Sequence, residues 1–347
     1  MFQLGNLFSR RMERAANRLN EEHHTLFFLE SLEQRQLLAG NVEVILTADV
    51  LTITGDDASN RITLTSDGTT ITVEGQGTRL NDATDPLTFQ VADAKGFNIS
   101  LAGGNDRLTM IAQNADGAGF DVSDTGTFII STGSGNDRVL LSTENTGGNA
   151  FILKHVTIDT NEGNDRVSML AENSGGFGFK TLGLTINTDV GNDRVTLVAA
   201  NGGADGFNTG LINVNTGDGN DRVDVVAENT GFVGIFASAL TVDTGLGNDR
   251  AFLTAENTQG DGFFIANAIT VNTDAGNDRV NFLADNSFGD GFDTFGIVVD
   301  TGEGNDRVAL VTQNDDGFGI STSNSELRIE TGDGNDFVSI TTRGNGN

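Results

Sequence analysis

Nine aspartates recur along this chain at a nearly constant interval: Asp106, Asp137, Asp165, Asp193, Asp221, Asp249, Asp278, Asp306 and Asp336. The steps between them are 31, 28, 28, 28, 28, 29, 28 and 30 residues. Each aspartate ends a Gly-Asn-Asp triplet, and eight of the nine are followed by arginine, from Arg107 to Arg307. If the repeats stack, the carboxylates form one column and the guanidinium groups another. Two unit charges at the about 4.8 Å spacing of stacked strands repel by roughly 3–4 kcal/mol at an effective dielectric near 20, and by under about 1 kcal/mol in bulk water. Something must offset that repulsion. One candidate is a divalent cation between successive turns, held by carboxylate and carbonyl oxygens, of which Ca²⁺ takes about six to eight. The other is a metal-free network of the Asp, Arg and Asn of the turn.

A fixed period of about 28 residues implies a solenoid, in which each repeat forms one coil and stacks on its neighbours. With the Asp at position zero, the residues at −9, −7 and −5 alternate inward: Val156, Ile158 and Thr160 in one coil, Leu184, Ile186 and Thr188 in the next. After the turn the alternation resumes. Position +2 is apolar from Leu108 to Val338, +4 is apolar from Met110 to Ile340, and +6 is only Ala or Thr. Position +8 is Asn from Asn114 to Asn314, and +14 is Phe or Ile from Phe120 to Ile320. A period of two over such runs is a β-strand with one face buried. The pattern predicts an all-β chain: a right-handed parallel β-helix, or β-solenoid, with coils of about 28 residues. Each coil carries two clear strands and a shorter third around the Phe. The +8 asparagines are expected at a bend, each amide bonding to its equivalent above and below. The arginines at +1 and the acids at +7 (Glu144, Glu172, Glu228, Glu256, Asp285) fall on the solvent face.

The turn reads Thr132-Gly133-Ser134-Gly135-Asn136-Asp137-Arg138-Val139, and the other copies vary little. Gly, Asn and Asp suit left-handed backbone at tight turns, but turn chemistry alone does not require Asp at zero. This stretch is similar to the nonapeptide Gly-Gly-x-Gly-x-Asp-x-(apolar)-x of calcium-binding repeat-in-toxin (hemolysin-type) proteins. The resemblance implies a parallel β-roll with Ca²⁺ between stacked turns. Its ligands would be the nine aspartates and the turn carbonyls around Gly135, Gly163 and their equivalents. The family's coil is two nonapeptides with metal on both sides. This coil is longer and has one such turn, so it allows one metal column.

Three regions follow from the pattern. Residues 97–347 hold the repeat, and residues 41–96 are an irregular β version of it, expected as an N-terminal cap. There Asn60 stands where Asp would be. Residues 1–40 share none of the ladders and have helical character. Leu32-Glu33-Gln34-Arg35-Gln36-Leu37-Leu38-Ala39 resembles the short N-terminal segment, Leu-Glu-Pro-Arg-any-Leu-Leu, of large exported bacterial proteins, with Gln34 in place of Pro. That resemblance implies export to the cell surface or beyond.

Composition bounds the function. The formal net charge is −29, while residues 1–40 hold five Arg and five Glu, so the excess is carried by the solenoid and its cap. Such a chain is a poor partner for nucleic acid or anionic membrane. The longest apolar run of the lead segment, Leu26 to Leu29, is too short to span a membrane. There is no cysteine, and the three histidines, His23, His24 and His155, form no catalytic set with a break in the ladders. The expectation is a non-catalytic, exported, calcium-binding β-solenoid with a structural or adhesive role at the cell surface. Its partners would be calcium ions and surface or matrix polysaccharide or protein. The outward arginines support a second reading, a carbohydrate-acting β-helix enzyme of polysaccharide lyase or epimerase type. Flat threonine rows at −8 (Thr157, Thr185, Thr241, Thr270) raise a third, ice binding.

Overall fold

A computed structural model of the chain describes residues 40–343, apart from 115, 123–125, 145–146, 173–174, 201, 229–231, 257–258, 287 and 314–316. The helical reading and the export-type motif of residues 1–40 therefore lie outside the described residues, Gly40 excepted. The rest is an all-β parallel solenoid of about eight turns, with about 28 residues per turn.

Two long sheets run along it. The first is made of the strands that leave the Asp turn: Arg107–Ala112, Arg138–Thr143, Arg166–Ala171, Arg194–Ala199, Arg222–Ala227, Arg250–Ala255, Arg279–Ala284, Arg307–Thr312 and Phe337–Thr342. Each pairs in parallel with the next at the register that the repeat predicts, so Arg166 lies beside Arg194 and Val167 beside Val195. The second sheet holds the strands that enter the turn, such as Gly96–Ser100, Phe128–Ser131, His155–Asp159 and Gly183–Asn187.

The expected third strand is separate in the first coils, as Ala118–Asp121, Asn149–Ile152 and Phe179–Lys180. From Phe207 onward it is continuous with the strand that enters the turn, giving Phe207–Asn215, Ile235–Asp243, Phe263–Asn272, Phe292–Asp300 and Ile320–Glu330. Here the strand passes the corner unbroken. Register shifts between Ala237 and Leu240, Ile265 and Ala268, and Thr294 and Gly296 absorb the bend. Gly210 shows how close the chains come at that corner, since a Cβ there would lie 2.0 Å from the Leu182 carbonyl oxygen.

Most strands alternate, with Ser142 and Asp224 as buried exceptions on the outer face. In Arg166–Ala171 the residues at +2, +4 and +6 are buried and those at +1, +3 and +5 are not. Inside, like packs on like. Phe120, Phe151, Phe179 and Phe207 stack with ring centroids 4.9, 4.7 and 5.0 Å apart, the ladder spacing of the sheets. Small residues at +6 have a steric cause. The chain turns back over them through a glycine, and a Cβ on Gly178 would sit 2.4 Å from the Ala171 Cβ.

At the N-terminal end the sheets are closed by antiparallel strands. Asn41–Thr47 pairs with Val50–Thr54, and Thr70–Gly75 pairs with Arg61–Ser66 and Leu87–Gln90. These hairpins cover the first coil and replace an open parallel edge. Among the described residues no helix is long and apolar enough to cross a membrane.

Candidate functional site: the aspartate turn

The turn is built by close backbone stacking. Gly163, two residues before Asp165, lies so near the coil below that a Cβ would meet the Gly135 carbonyl oxygen at 1.5 Å. Gly191, Gly219, Gly247, Gly276, Gly304 and Gly334 repeat this contact at 1.3–1.4 Å. The second glycine of the motif is thus demanded by coil-on-coil approach. The residue at −4 is left-handed, with φ of +86° at Gly133 and +77° at Gly217, and Asn161, Asp189 and Asp274 adopt the same region at +60°, +58° and +50°. This accounts for Gly, Asn and Asp alternating there.

The aspartates supply what the backbone lacks at the bend. Each carboxylate Oδ1 accepts the backbone N–H of the aspartate one coil earlier. Asp106 donates to Asp137 at 2.7 Å, Asp137 to Asp165 at 2.8 Å, Asp165 to Asp193 at 2.7 Å, and Asp193 to Asp221 at 2.8 Å. The series continues through Asp249, Asp278, Asp306 and Asp336, reaching 3.0 Å at the last. It starts at Asn60, whose amide donates to Asp106. The aspartate carbonyl in turn accepts the arginine amide of the next coil, as in Arg166 to Asp137 at 2.9 Å. The carboxylate therefore stands in for a carbonyl that the turn directs elsewhere, and the ladder runs through the corner without a gap. A structural account does require an acceptor at zero, contrary to the sequence reading of the turn.

All nine predicted residues are brought into one column, but it lies inside the coil. From Asp106 to Asp306 the side chains are 0–2% exposed, and Asp336 is less covered. The second carboxylate oxygen faces the threonine hydroxyl of its own turn. Thr273 donates to Asp278 at 2.9 Å and Thr301 to Asp306 at 2.8 Å. At Asp106, Asp137, Asp165, Asp193, Asp221 and Asp249 the Oδ2 atom is buried without a closed hydrogen bond, as are the hydroxyls of Thr132, Thr160, Thr216 and Thr244.

Burial penalises the ionised form. It pushes Asp106, Asp165, Asp221 and Asp278 up to about 7, and Asp193 and Asp249 up to about 6. Asp137 is raised from the same cause. Neighbouring carboxylates of the column add to the rise at Asp165, Asp221 and Asp278, and the amide that each accepts works against it.

Much of the oxygen set of the turn is already engaged by backbone contacts. One oxygen of each carboxylate is taken by an amide, and the −2 glycine carbonyls lie against the next coil's glycines. The −3 carbonyls, such as Glu162 O, accept the amides of the coil before, here Gly135 N at 2.9 Å. Among the described residues no group of three or more His, Cys, Asp or Glu is arranged to hold a metal ion.

Outside the aspartates stands a second ladder that the sequence reading missed. The motif's asparagines, Asn105 to Asn335, are exposed, and from Asn136 on each donates both its backbone N–H and its side-chain N–H to the Oδ1 of the one before. For Asn164 these bonds to Asn136 are 2.9 and 3.0 Å. The expected amide stacking thus occurs at −1. Of the +8 asparagines, Asn114 and Asn286 are buried and bond to loop carbonyls, including Gly117 O and Asp290 O, and the other six lie outside the described residues. The signal was available, since Asn precedes every Asp, but it read as turn preference.

The arginines at +1 do face outward. Asp224 bridges two of them, at 2.9 Å to Arg194 and 2.7 Å to Arg222. Phe252 lies under the guanidinium groups of Arg222 and Arg279, at 4.9 and 5.7 Å. Comparison with known proteins adds nothing to this geometry: no protein family, no curated protein and no solved structure matches the chain.

Proposed function

We propose that the chain is a non-catalytic structural solenoid, exported to the cell surface or beyond, whose buried aspartates staple each coil to the next. The observation that carries this reading is the unbroken series of carboxylate-to-amide bonds from Asn60 to Asp336. A solenoid that hosts a reaction needs a local departure from its ladders to gather unlike groups at one point. Here the side chains best able to do chemistry are consumed in holding the backbone. Export rests on the resemblance of residues 32–39 to the Leu-Glu-Pro-Arg-type segment.

One observation favours a calcium-binding version of the same role. The buried Oδ2 atoms without a partner are oxygens that either a proton or a cation satisfies. Melting in chelator and in millimolar Ca²⁺, with calorimetric titration alongside, separates the two. The staple reading expects equal melting temperatures and no binding heat. A melting temperature that climbs with calcium, accompanied by saturable heat, would overturn it and restore the metal column.

A further inference from the structure

We infer that two copies of this chain pack face to face through the sheet that leaves the Asp turn. The outward residues of that sheet form parallel columns. Along one edge run the arginines at +1, from Arg107 to Arg307. Along the other, at +7, run the exposed acids Glu144, Glu172, Glu228, Glu256 and Asp285. Between them, at +5, lies a partly exposed column that is aliphatic at Ile111, Leu170, Val198, Val226, Leu283 and Val311 and interrupted by Ser142 and Thr254, beside a more polar column at +3 that includes Ser168, Thr196 and Asp224. An apolar stripe bounded by charged rims is the layout of an interface. Like charges stacked along each rim are unfavourable in the single chain. Glu228 and Asp285 raise the pKa of Glu256, after burial the largest causes.

The chemistry that relieves both rims is this chain's own. A two-fold axis parallel to the solenoid axis reverses the strand direction and keeps each coil opposite the same coil. Every arginine column then faces an acidic column of identical spacing, a self-complementary contact. Five coils carry both charges: Arg138 with Glu144, Arg166 with Glu172, Arg222 with Glu228, Arg250 with Glu256, and Arg279 with Asp285. In the coil of Arg194 the +7 residue is Ala200, and there Asp224 of the same chain supplies the counter-charge. Six residue steps along nine stacked strands make a face of about 20 by 38 Å, roughly 750 Å² per copy, close to the about 800 Å² per partner of a stable interface.

Sedimentation velocity of the full chain at physiological ionic strength tests this, because a Debye length of about 8 Å screens the net charge while facing columns still interact. The wild type is expected to dimerise. Two variants, one with Arg138→Glu and Arg166→Glu and the other with Glu144→Arg and Glu172→Arg, should each dimerise at least about a hundredfold more weakly. Mixed together they should form a one-to-one heterodimer, since the exchange restores every pair. Far-UV circular dichroism and the melting curve establish that each variant is folded. A wild type that stays monomeric would overturn the inference, and a monomer that binds dextran sulfate would assign the face to a polyanion. Variants that dimerise as tightly as the wild type would place the contact on another surface.

Discussion

Replacing one column aspartate by asparagine should stabilise this protein above neutral pH, and Asp221→Asn is the informative case. In the folded chain Asp221 Oδ1 accepts the Asp193 amide at 2.8 Å, while Oδ2 and the Thr216 hydroxyl are buried without a closed bond. Asparagine keeps the acceptor and offers Nδ2–H to Thr216, as a protonated carboxyl would. Burial raises Asp221 from 3.8 to about 7, a difference equivalent to roughly 4 kcal/mol if it is expressed in full. Because the folded pKa lies above the unfolded one, the folded chain binds the extra proton between about pH 4 and pH 7. Stability from this group is therefore present at the acid end, falls as pH rises through about 7, and levels off beyond it. Neighbouring carboxylates share protons, so only part of the full difference belongs to any single site.

The expected outcome is that Asp221→Asn is more stable than wild type by about 1–4 kcal/mol at pH 8.5 and that less than about half of this advantage remains at pH 5. Urea unfolding followed by far-UV circular dichroism, in chelator at both pH values, measures it. The wild type itself should unfold at lower urea at pH 8.5 than at pH 5. Part of that trend comes from exposed acids shedding the self-repulsion of a −29 chain, and the asparagine variant isolates the column's share. If Asp221→Asn unfolds earlier than wild type at pH 8.5, the buried carboxylate is stabilised as an anion and the reasoning fails. The chain already contains the natural form of this change: Asn60 occupies the first place in the column, buried, with Nδ2 donating to the carbonyls of Asp56, Ala58 and Leu101.

Three further outcomes follow. Gly219→Ala would place a Cβ 1.4 Å from the Gly191 carbonyl oxygen, and since that neighbour is backbone the variant should lose more than about 4 kcal/mol in urea unfolding or fail to fold. Asn220→Ala removes the acceptor of two bonds from Asn248, at 3.1 and 2.9 Å. Because the site is exposed, its cost should stay within about 0.5–1.5 kcal/mol. Deleting residues 1–40 should leave the melting temperature of the solenoid nearly unchanged while reducing export, which fractionation of cells and medium would register.

The fold was legible because the ladders are redundant. Val167 could be assigned beside Val195 from spacing alone, and so could every other inward position, since stacking repeats one decision nine times. Residues 41–96 were legible only as irregular β, which Val50–Thr54, Arg61–Ser66 and Thr70–Gly75 realise as strands. Their antiparallel pairing was not, because alternation marks a strand and is silent about its direction. The fused corner strands were hidden for a related reason. The Phe at +14 and the next inward residue are five apart both where the strand breaks, at Phe179 and Leu184, and where it continues, at Phe207 and Ile212.

The site was legible as a column and not as an interior. Alternation placed Thr at −5 and Val at +2 on the inner face, but across a tight turn the period of two lapses, and nothing in it assigns the direction of a residue at zero. The repulsion argument then pointed to a cation, on the premise that all nine carboxylates are ionised. Burial changes the premise. A carboxyl with a pKa of about 7 is partly protonated at neutral pH, and between each pair of neighbouring carboxylates stands a backbone N–H, as the Asp193 amide stands toward Asp221. The charge that would demand a metal is thus reduced by the same burial that the fold imposes. It follows that the effective charge of the folded chain near pH 7 is less negative than the formal −29, and that unfolding at pH 7 should release protons to the solvent, which titration in weak buffer would register.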